Sequence, residues 1–492
     1  MITGFASVSM AVPALHAVSQ DAYGIAVSFV YSGSLGLFLT LIIALARGKR
    51  QRRHHEDLAG VRTLLATFVF LPILLAVPFY DALKTTTFTN AYFEMVSSLT
   101  TTGATVFDAD RLPPTLHLWR AQVGWMGGLL VWIAAAAILA PLSLGGFEVT
   151  TATFETDGQT RLDRFERAGV LRRSLTTARR LTPIYTGLTG ALWLFLILGG
   201  DQPLVALCHA MSTMATSGIS AVGGLQHAQS GIASEMVVFL FLLFALSRMT
   251  FSSDTTVARQ AIWRDAEFRM GFALVIAVPC LLFLRHWLAA LEVDSADDLG
   301  LGLYALWGGV FTVLSFLTTT GFESAEWETA RAWSGLGTPG MILMGLAMVG
   351  GGVATTAGGV KLLRVYALYL AGRRELERMV HPHSISGAGI RNRRMRRRGA
   401  FQAWVFFMLF AMTLAGSSAL LSATGVSFED SIVMSVAALT TTGPVMNMAT
   451  ETPILLAQHS DFTKVVLGGV MVLGRLELLA IIALFNTELW RD

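Results

Sequence analysis

Nearly the same word recurs four times in this chain, each time inside an apolar stretch. It reads Leu-Thr-Thr-Thr-Gly at 99–103, Met-Ala-Thr-Ser-Gly at 214–218, Leu-Thr-Thr-Thr-Gly at 317–321 and Leu-Thr-Thr-Thr-Gly at 439–443. The four glycines are evenly spaced, roughly 100 to 120 residues apart, which points to four copies of one unit rather than a short-period solenoid. Threonine is stiff at χ1 and glycine loses the most backbone entropy, so these words are poor helix formers. In hydrocarbon a non-helical backbone survives only where it is buried in protein or lines a water-filled path. Four such breaks at membrane depth read as the lining of a pore.

Composition supports the membrane setting. The chain has 492 residues, 53% of them hydrophobic and only 14% charged, where a soluble protein carries about a quarter. Mean hydropathy is +0.59, and apolar runs of the roughly 20 residues needed to cross a bilayer recur throughout. Cys208 and Cys280 both fall in apolar segments, which excludes a disulfide framework or a cysteine metal cluster. No cleavable signal peptide is expected, because the first segment lacks a basic leader.

The net charge is only +3, yet the basic residues are clustered. One cluster is Arg47, Lys49, Arg50, Arg52 and Arg53, and another is Arg172, Arg173, Arg179 and Arg180. The densest runs from Arg391 through Arg393, Arg394, Arg396 and Arg397 to Arg398. Each lies just beyond an apolar span, the pattern of cytoplasmic anchoring rather than of nucleic-acid binding. These segments are expected to meet anionic membrane lipid or an acidic partner.

Ten spans fit the pattern: 3–18, 24–46, 61–80, 118–142, 182–200, 233–255, 269–291, 337–375, 401–423 and 464–486. The basic loops then share one side, which places both termini in the cytoplasm. The eighth span is too long for one simple crossing and has to be broken or extend past the bilayer. Between spans three and four, five and six, seven and eight, and nine and ten lies a shorter apolar piece of about 12–18 residues, the length of a re-entrant helix. Asp201-Gln202-Pro203 offers one such piece a cap and a first-turn proline. Ser427-Phe428-Glu429-Asp430 resembles a capping box, and Asp297 and Asp298 sit where the third piece would begin.

The fold expected is thus an all-α polytopic membrane protein. Four pseudo-repeats of span, pore half-helix, filter loop and span surround a central pore, preceded by two extra transmembrane helices. The boundaries fall at 1–58 for the leading helices, 59–180, 181–266 and 267–399 for the first three repeats, and 400–492 for the fourth.

Half-helices of this kind aim their carbonyl ends at one point near the membrane centre, where the negative end of the dipole favours a cation. The residues that follow can turn carbonyls inward in place of an ion's water shell. Glycine supplies the backbone angles this needs, and threonine hydroxyls can add ligands at the inner mouth. The candidate filter residues are Thr100, Thr101, Thr102 and Gly103; Ala215, Thr216, Ser217 and Gly218; Thr318, Thr319, Thr320 and Gly321; and Thr440, Thr441, Thr442 and Gly443. The words hold no carboxylate, which argues against a divalent-cation filter.

These units, together with two leading spans, make the chain resemble the Trk/Ktr/HKT superfamily of potassium transporters, and most of all its bacterial TrkH branch. The strings that carry the resemblance are Phe93 to Ala104, His209-Ala210-Met211-Ser212-Thr213, Gly351 to Lys361, and Gly474-Arg475-Leu476-Glu477. It spans essentially the whole chain. It implies potassium uptake across a bacterial inner membrane, with potassium as cargo and no cofactor. It also implies a homodimer and a cytoplasmic nucleotide-binding regulatory subunit of the TrkA type. Family members with serine at the first filter glycine tend to pass sodium, so glycine at all four positions favours potassium. Ala215 and Ser217 mark the second word as the irregular one.

Two further features have competing readings. Gly350, Gly351, Gly352, Thr355, Thr356, Gly358 and Gly359 interrupt the eighth span. They fail as a phosphate-binding loop on spacing and on the missing strand. Close helix packing on small residues is one account. An intramembrane gate under the filter is the one the resemblance favours. Arg475, deep in the last span, either pairs with Glu477 or puts a positive charge beside the permeation path, the part an arginine of this helix plays in the family. Lys361 either joins it under the loop or snorkels to the cytoplasmic face. Glu94 is read as bracing the first half-helix, His209 as a packed histidine, and Trp125-Met126-Gly127-Gly128 as tight packing. No hydrolase or protease constellation is present, so no enzyme activity is expected. The alternatives are a sodium-coupled or non-selective monovalent-cation transporter of the Ktr/HKT type, or a secondary transporter of a small solute, which would show twofold inverted repeats.

Overall fold

The computed structural model describes residues 2–46, 56–142, 144, 169–247, 263, 265–290, 299–334, 339–381, 390–450 and 452–477. Among these the chain is helical throughout, with no strand. The Arg47–Arg53 cluster and Asp297 and Asp298 lie outside the described residues, as do the side chains of Arg391–Arg398.

Helices α1 (Ile2–Ser9) and α2 (Ala11–Ser19) form a first, interrupted span, and α3 (Tyr23–Ala46) the second. Then follow α4 (Glu56–Leu83), α5 (Phe88–Leu99), α6 (Pro114–Ala134), α7 (Val170–Leu198), α8 (Pro203–Ala215) and α9 (Ile232–Leu242). The second half holds α10 (Ala266–Ala290), α11 (Leu299–Leu317), α12 (Trp327–Ser334), α13 (Gly340–Val349) and α14 (Leu362–Val380). It closes with α15 (Ile390–Ser422), α16 (Phe428–Leu439), α17 (Val445–Met448) and α18 (Asp461–Leu476). Among the described residues seven segments are long and apolar enough to cross a bilayer, so the chain is a multi-pass membrane protein. Prolines at 72, 78, 183 and 279 stand inside these spans, as membrane-spanning helices tolerate.

Three expected spans depart from a simple crossing, the eighth as its length required. The sixth is helical to Leu246, with 248–255 outside the described residues, and its Ala245 carbonyl accepts from Gly352 N–H at 3.0 Å. The eighth is broken between Val349 and Leu362, where three glycines in a row cannot sustain a helix. The tenth leaves helical geometry at Glu477, whose φ is 61°, and the rest of that expected span, 478–486, lies outside the described residues.

The four short helices are placed alike. Each packs on the span before it and the helix after it: α5 on α4 and α6, α8 on α7 and α9, α11 on α10 and α13, α16 on α15 and α18. Each is also packed by a helix of the preceding unit: α8 by α6, α11 by α9, α16 by α13, and α5 by α18. The last of these closes the circle. Helix α6 is accordingly central, with 72% of its span buried, whereas α3 has 22% buried and presents leucines and phenylalanines outward.

Helix starts follow local chemistry. Thr87 Oγ1 accepts from Asn90 N–H at 3.4 Å and Ser427 Oγ from Asp430 N–H at 3.1 Å, each an N-cap. At α8 the cap position belongs to Gln202, which makes no side-chain bond there, and Pro203 fills the first turn. Asp201 instead turns its Oδ1 to Ser230 N–H, 3.1 Å away.

Candidate functional site

All four short helices end in the same backbone turn. Thr102 N–H bonds the Ser97 carbonyl, Ser217 N–H that of Ser212, Thr320 N–H that of Ser315 and Thr442 N–H that of Ala437, at 2.8 to 3.0 Å. The preceding residue is left-handed each time: Thr101 at φ 55°, Thr216 at 50°, Thr319 at 57° and Thr441 at 54°. This is the hydrogen-bond pattern of a Schellman cap, a place that normally takes glycine. A β-branched residue there costs about 1–3 kcal/mol, and such strain concentrates at functional sites. Gly103, Gly218 and Gly321 are left-handed again, at φ 74°, 65° and 81°. Alternating hands turn successive carbonyls toward the same side, which suits them to replace a cation's water shell.

The words meet edge to edge. A Cβ on Gly103 would run into the Ser217 carbonyl, one on Gly218 into that of Thr320, and one on Gly321 into the ring of Pro444. A Cβ on Gly443 would strike the backbone of Ala104. Words one to four therefore lie in order around one closed ring. Every threonine in the ring is fully buried.

The irregular member is the fourth word, although its sequence is regular. Gly443 is not left-handed, its N–H bonds the Thr102 carbonyl at 2.6 Å, and Pro444 begins the short helix α17. Proline restricts the residue before it, and this is the only word with a proline after the glycine. The second word keeps the common backbone despite Ala215 and Ser217. In the other words the first hydroxyl donates to its own half-helix: Thr100 to the Val96 carbonyl at 2.8 Å, Thr318 to Leu314 at 2.9 Å and Thr440 to Val436 at 2.8 Å. It also meets the third hydroxyl. Ser217 Oγ meets Ser212 Oγ at 3.1 Å instead, so Ala215 forfeits a bond within the wall rather than a group at the inner mouth.

Buried polar groups hold the segments that leave the ring. Glu94 pairs with Arg120 at 2.6 Å and its other oxygen accepts from Val106 N–H at 3.2 Å, which is the brace the sequence indicates. His209 Nε2 lies 2.8 Å from Ser220 Oγ, and its ring packs edge-on against Phe322. Glu235 carries no sequence signal. It takes Ala325 N–H at 2.6 Å, Ser324 Oγ at 2.7 Å and Trp307 Nε1 at 2.8 Å, and so ties the second unit to the third. Gly127 lets α6 reach the Leu99 carbonyl, and Gly128 meets Tyr185 and Ala215, as close packing requires.

The interrupted span runs directly beneath the ring. Gly358 N–H donates to Thr319 Oγ1 at 2.7 Å, and Gly358 lies against the Thr440 carbonyl. Thr216 Oγ1 donates to Thr356 Oγ1 at 3.1 Å. Two of the four left-handed threonines, Thr216 and Thr319, thus bond this loop through their hydroxyls, while Thr101 Oγ1 and Thr441 Oγ1 are buried without a hydrogen bond among the described residues. Its base is stitched by Thr355 Oγ1 on the Gly352 carbonyl at 2.7 Å and by Val353 N–H on Glu267 at 3.1 Å. Gly350 and Gly359, both left-handed, abut each other where the loop opens and closes, and Gly351 packs against Ala357.

Arg475 approaches from the side. Its Nη1 donates to the Thr356 carbonyl at 2.6 Å, while Nε and Nη2 are buried with no hydrogen bond among the described residues. Gly474 brings α18 onto the Leu439 carbonyl and so sets this depth. Glu477 does not pair with Arg475. It binds Arg364 at 2.7 Å, whose guanidinium also stacks 3.7 Å above Phe406. Lys361 does not snorkel; it is buried and donates to the Ala357 carbonyl, inside the loop it closes.

This geometry has known counterparts. A family model for cation transport proteins of the TrkH type matches residues 262–492. The Trk system potassium uptake protein TrkH of Salmonella typhimurium is 31% identical over 481 residues, 95% of each chain. That of Vibrio parahaemolyticus is 30% identical over 503 residues, 99% of this chain and 96% of the relative. The crystal structure of the potassium transporter TrkH from Vibrio parahaemolyticus superposes with a TM-score of 0.81 at 27% identity, covering 99% of this chain and 97% of that one. The chain belongs to the TrkH family of cation transport proteins.

Proposed function

We propose that this chain is the translocating subunit of a potassium-uptake system, with the four words as its filter and the 350–361 loop as its gate. The observation that carries the reading is the closed ring of four strained turns with a loop pressed against its inner side. Potassium enters from outside, exchanges water for the carbonyls of the four words, and leaves past the loop once it withdraws. Arg475 raises the barrier while the loop is in place. The relatives' role in potassium uptake agrees with this. The subunit sits in the bacterial inner membrane with both termini in the cytoplasm, as a homodimer. A TrkA-type nucleotide-binding subunit and anionic lipid meet the basic segments. It is a transporter, not an enzyme, and uses no cofactor or nucleic acid.

Serine at Gly103 or Gly218 tests the filter. Both glycines are left-handed and both face a carbonyl oxygen of the next word, so a side chain deforms the ring. Rubidium-over-sodium uptake ratios in a potassium-uptake-deficient bacterium are expected to fall by about tenfold. Unchanged ratios in well-expressed variants would remove the filter assignment.

A second measurement concerns the outer approach. Glu323, two residues beyond Gly321, has its carboxyl pushed up to about 7 by burial and then by the nearby Glu328 carboxylate. It is neutral below that pH and charged above it. Uptake at limiting rubidium is expected to rise as external pH climbs from about 6 to 8, as the charge gathers cations. Glu323→Gln should flatten that rise, and a rise that persists in the variant would assign it elsewhere.

A further inference from the structure

Nine residues before each ring glycine stands a side chain buried in its half-helix: Glu94, His209, Thr312 and Met434. The first three hold the segment that leaves the ring. Glu94 takes Val106 N–H at 3.2 Å, His209 meets Ser220 Oγ at 2.8 Å, and Thr312 Oγ1 takes Ser324 N–H at 3.3 Å. Met434 can do none of this. Six residues before the glycine stand Ser97, Ser212 and Ser315 in three units and Ala437 in the fourth, but Ser212 Oγ meets Ser217 Oγ of its own word and Ser315 Oγ is buried with no hydrogen bond among the described residues. Ser97 Oγ ties down the Ala104 carbonyl at 2.6 Å. In the fourth half-helix Ser431 and Ser435 keep buried hydroxyls without hydrogen bonds among the described residues.

The fourth segment accordingly takes another path. It coils into α17 instead of running on extended, and Pro444 lies against both Gly218 and Gly321 while Gly443 lies against word one. One residue therefore reaches the two words that its own glycine does not touch. Pro444 follows its glycine where the other words have Ala104, Ile219 and Phe322. The Gly443 N–H also occupies the Thr102 carbonyl, which is thereby drawn from the cage on that side.

From this we infer that the fourth word is the adjustable wall of the filter and that Pro444 sets the width of its outer opening. The inference rests on the filter reading above. Three walls are fixed by polar tethers; the fourth is held by apolar packing and by one hydrogen bond to word one. Size selection among monovalent cations then depends on the proline more than on its counterparts.

The test compares cesium with rubidium uptake in whole cells expressing the full chain. Pro444→Ala frees Gly443 for the left-handed geometry of the other glycines and clears the opening. The cesium-to-rubidium ratio is expected to rise by about threefold or more. Ile219→Ala, at the matching place in word two, should leave the ratio near wild type. Met434→Thr keeps the proline but gives the fourth half-helix the tether of the third, and should move the ratio in the same direction. Gly103→Ser separates the two readings. If it shifts rubidium over sodium while Pro444→Ala and Met434→Thr leave cesium over rubidium unchanged, the filter stands and this inference falls. If none of the three shifts any ratio, both fall. An equal shift in Ile219→Ala would also overturn the special role of Pro444.

Discussion

Arg475→Ala is expected to raise rubidium uptake in cells that lack any regulatory subunit by a factor on the order of fifty, the effect, on the proposed gate reading, of one charge removed beside the ion path. The Arg475 guanidinium lies buried against the loop under the ring, with two nitrogens that make no hydrogen bond among the described residues. A unit positive charge about 7 Å from a monovalent cation costs about 2.4 kcal/mol at an effective dielectric of 20. Because each 1.4 kcal/mol or so is a factor of ten, that charge nearly empties the exit of cations. Losing it also frees the Thr356 carbonyl, through which α18 holds the loop's centre. Arg475→Lys keeps the charge but not the planar donor, so basal uptake should stay low if the barrier is electrostatic. Equal release in both variants would mean that Arg475 acts by anchoring the loop. Low uptake in both would remove it from the gate.

The sequence was legible where chemistry is local. Proline at 203, serine at 427 and the apolar run lengths place the four half-helices and most spans. The break in the eighth span followed from three consecutive glycines. What stayed hidden depends on pairs far apart in the chain. Glu235 reads as an isolated acid in an apolar helix, yet its partners Trp307, Ser324 and Ala325 come from the next unit. Glu477 stands two residues from Arg475 and seems its natural mate. The left-handed turn at Glu477 carries it to Arg364 instead.

The ring itself was half legible. Glycine was expected to supply the unusual backbone, and at three positions it does. The more telling strain sits at the middle residue of each word, where propensity gives no hint that threonine will turn left-handed. A residue-by-residue comparison of the words ranked the second as odd, because Ala215 and Ser217 differ in type. The backbone ranks the fourth, because a proline one position beyond the word matters more than a missing hydroxyl inside it. Comparing the flanks at the same offset, Glu94, His209, Thr312 and Met434, is the signal that would have found this.

The first unit offers a way to separate what holds the protein together from what shapes the ring. Glu94 has two jobs: one oxygen neutralises Arg120, the other takes Val106 N–H. Glu94→Gln keeps an acceptor for Val106 but leaves Arg120 charged and buried, which should cost about 3–5 kcal/mol. Its unfolding temperature in detergent falls, while the rubidium-over-sodium ratio of the protein that does fold stays near wild type. The double variant Glu94→Leu with Arg120→Met removes both charges, a change often neutral for a buried pair. It abandons the Val106 tether, and an unsatisfied buried N–H costs about 1–3 kcal/mol. Its stability should therefore exceed that of Glu94→Gln while its selectivity is worse. This crossing of the two readouts is what distinguishes a tether from a brace. If selectivity instead tracks stability across both variants, the carboxylate acts only by keeping α5 and α6 together, and the outer segment needs no hydrogen bond to hold the ring in shape.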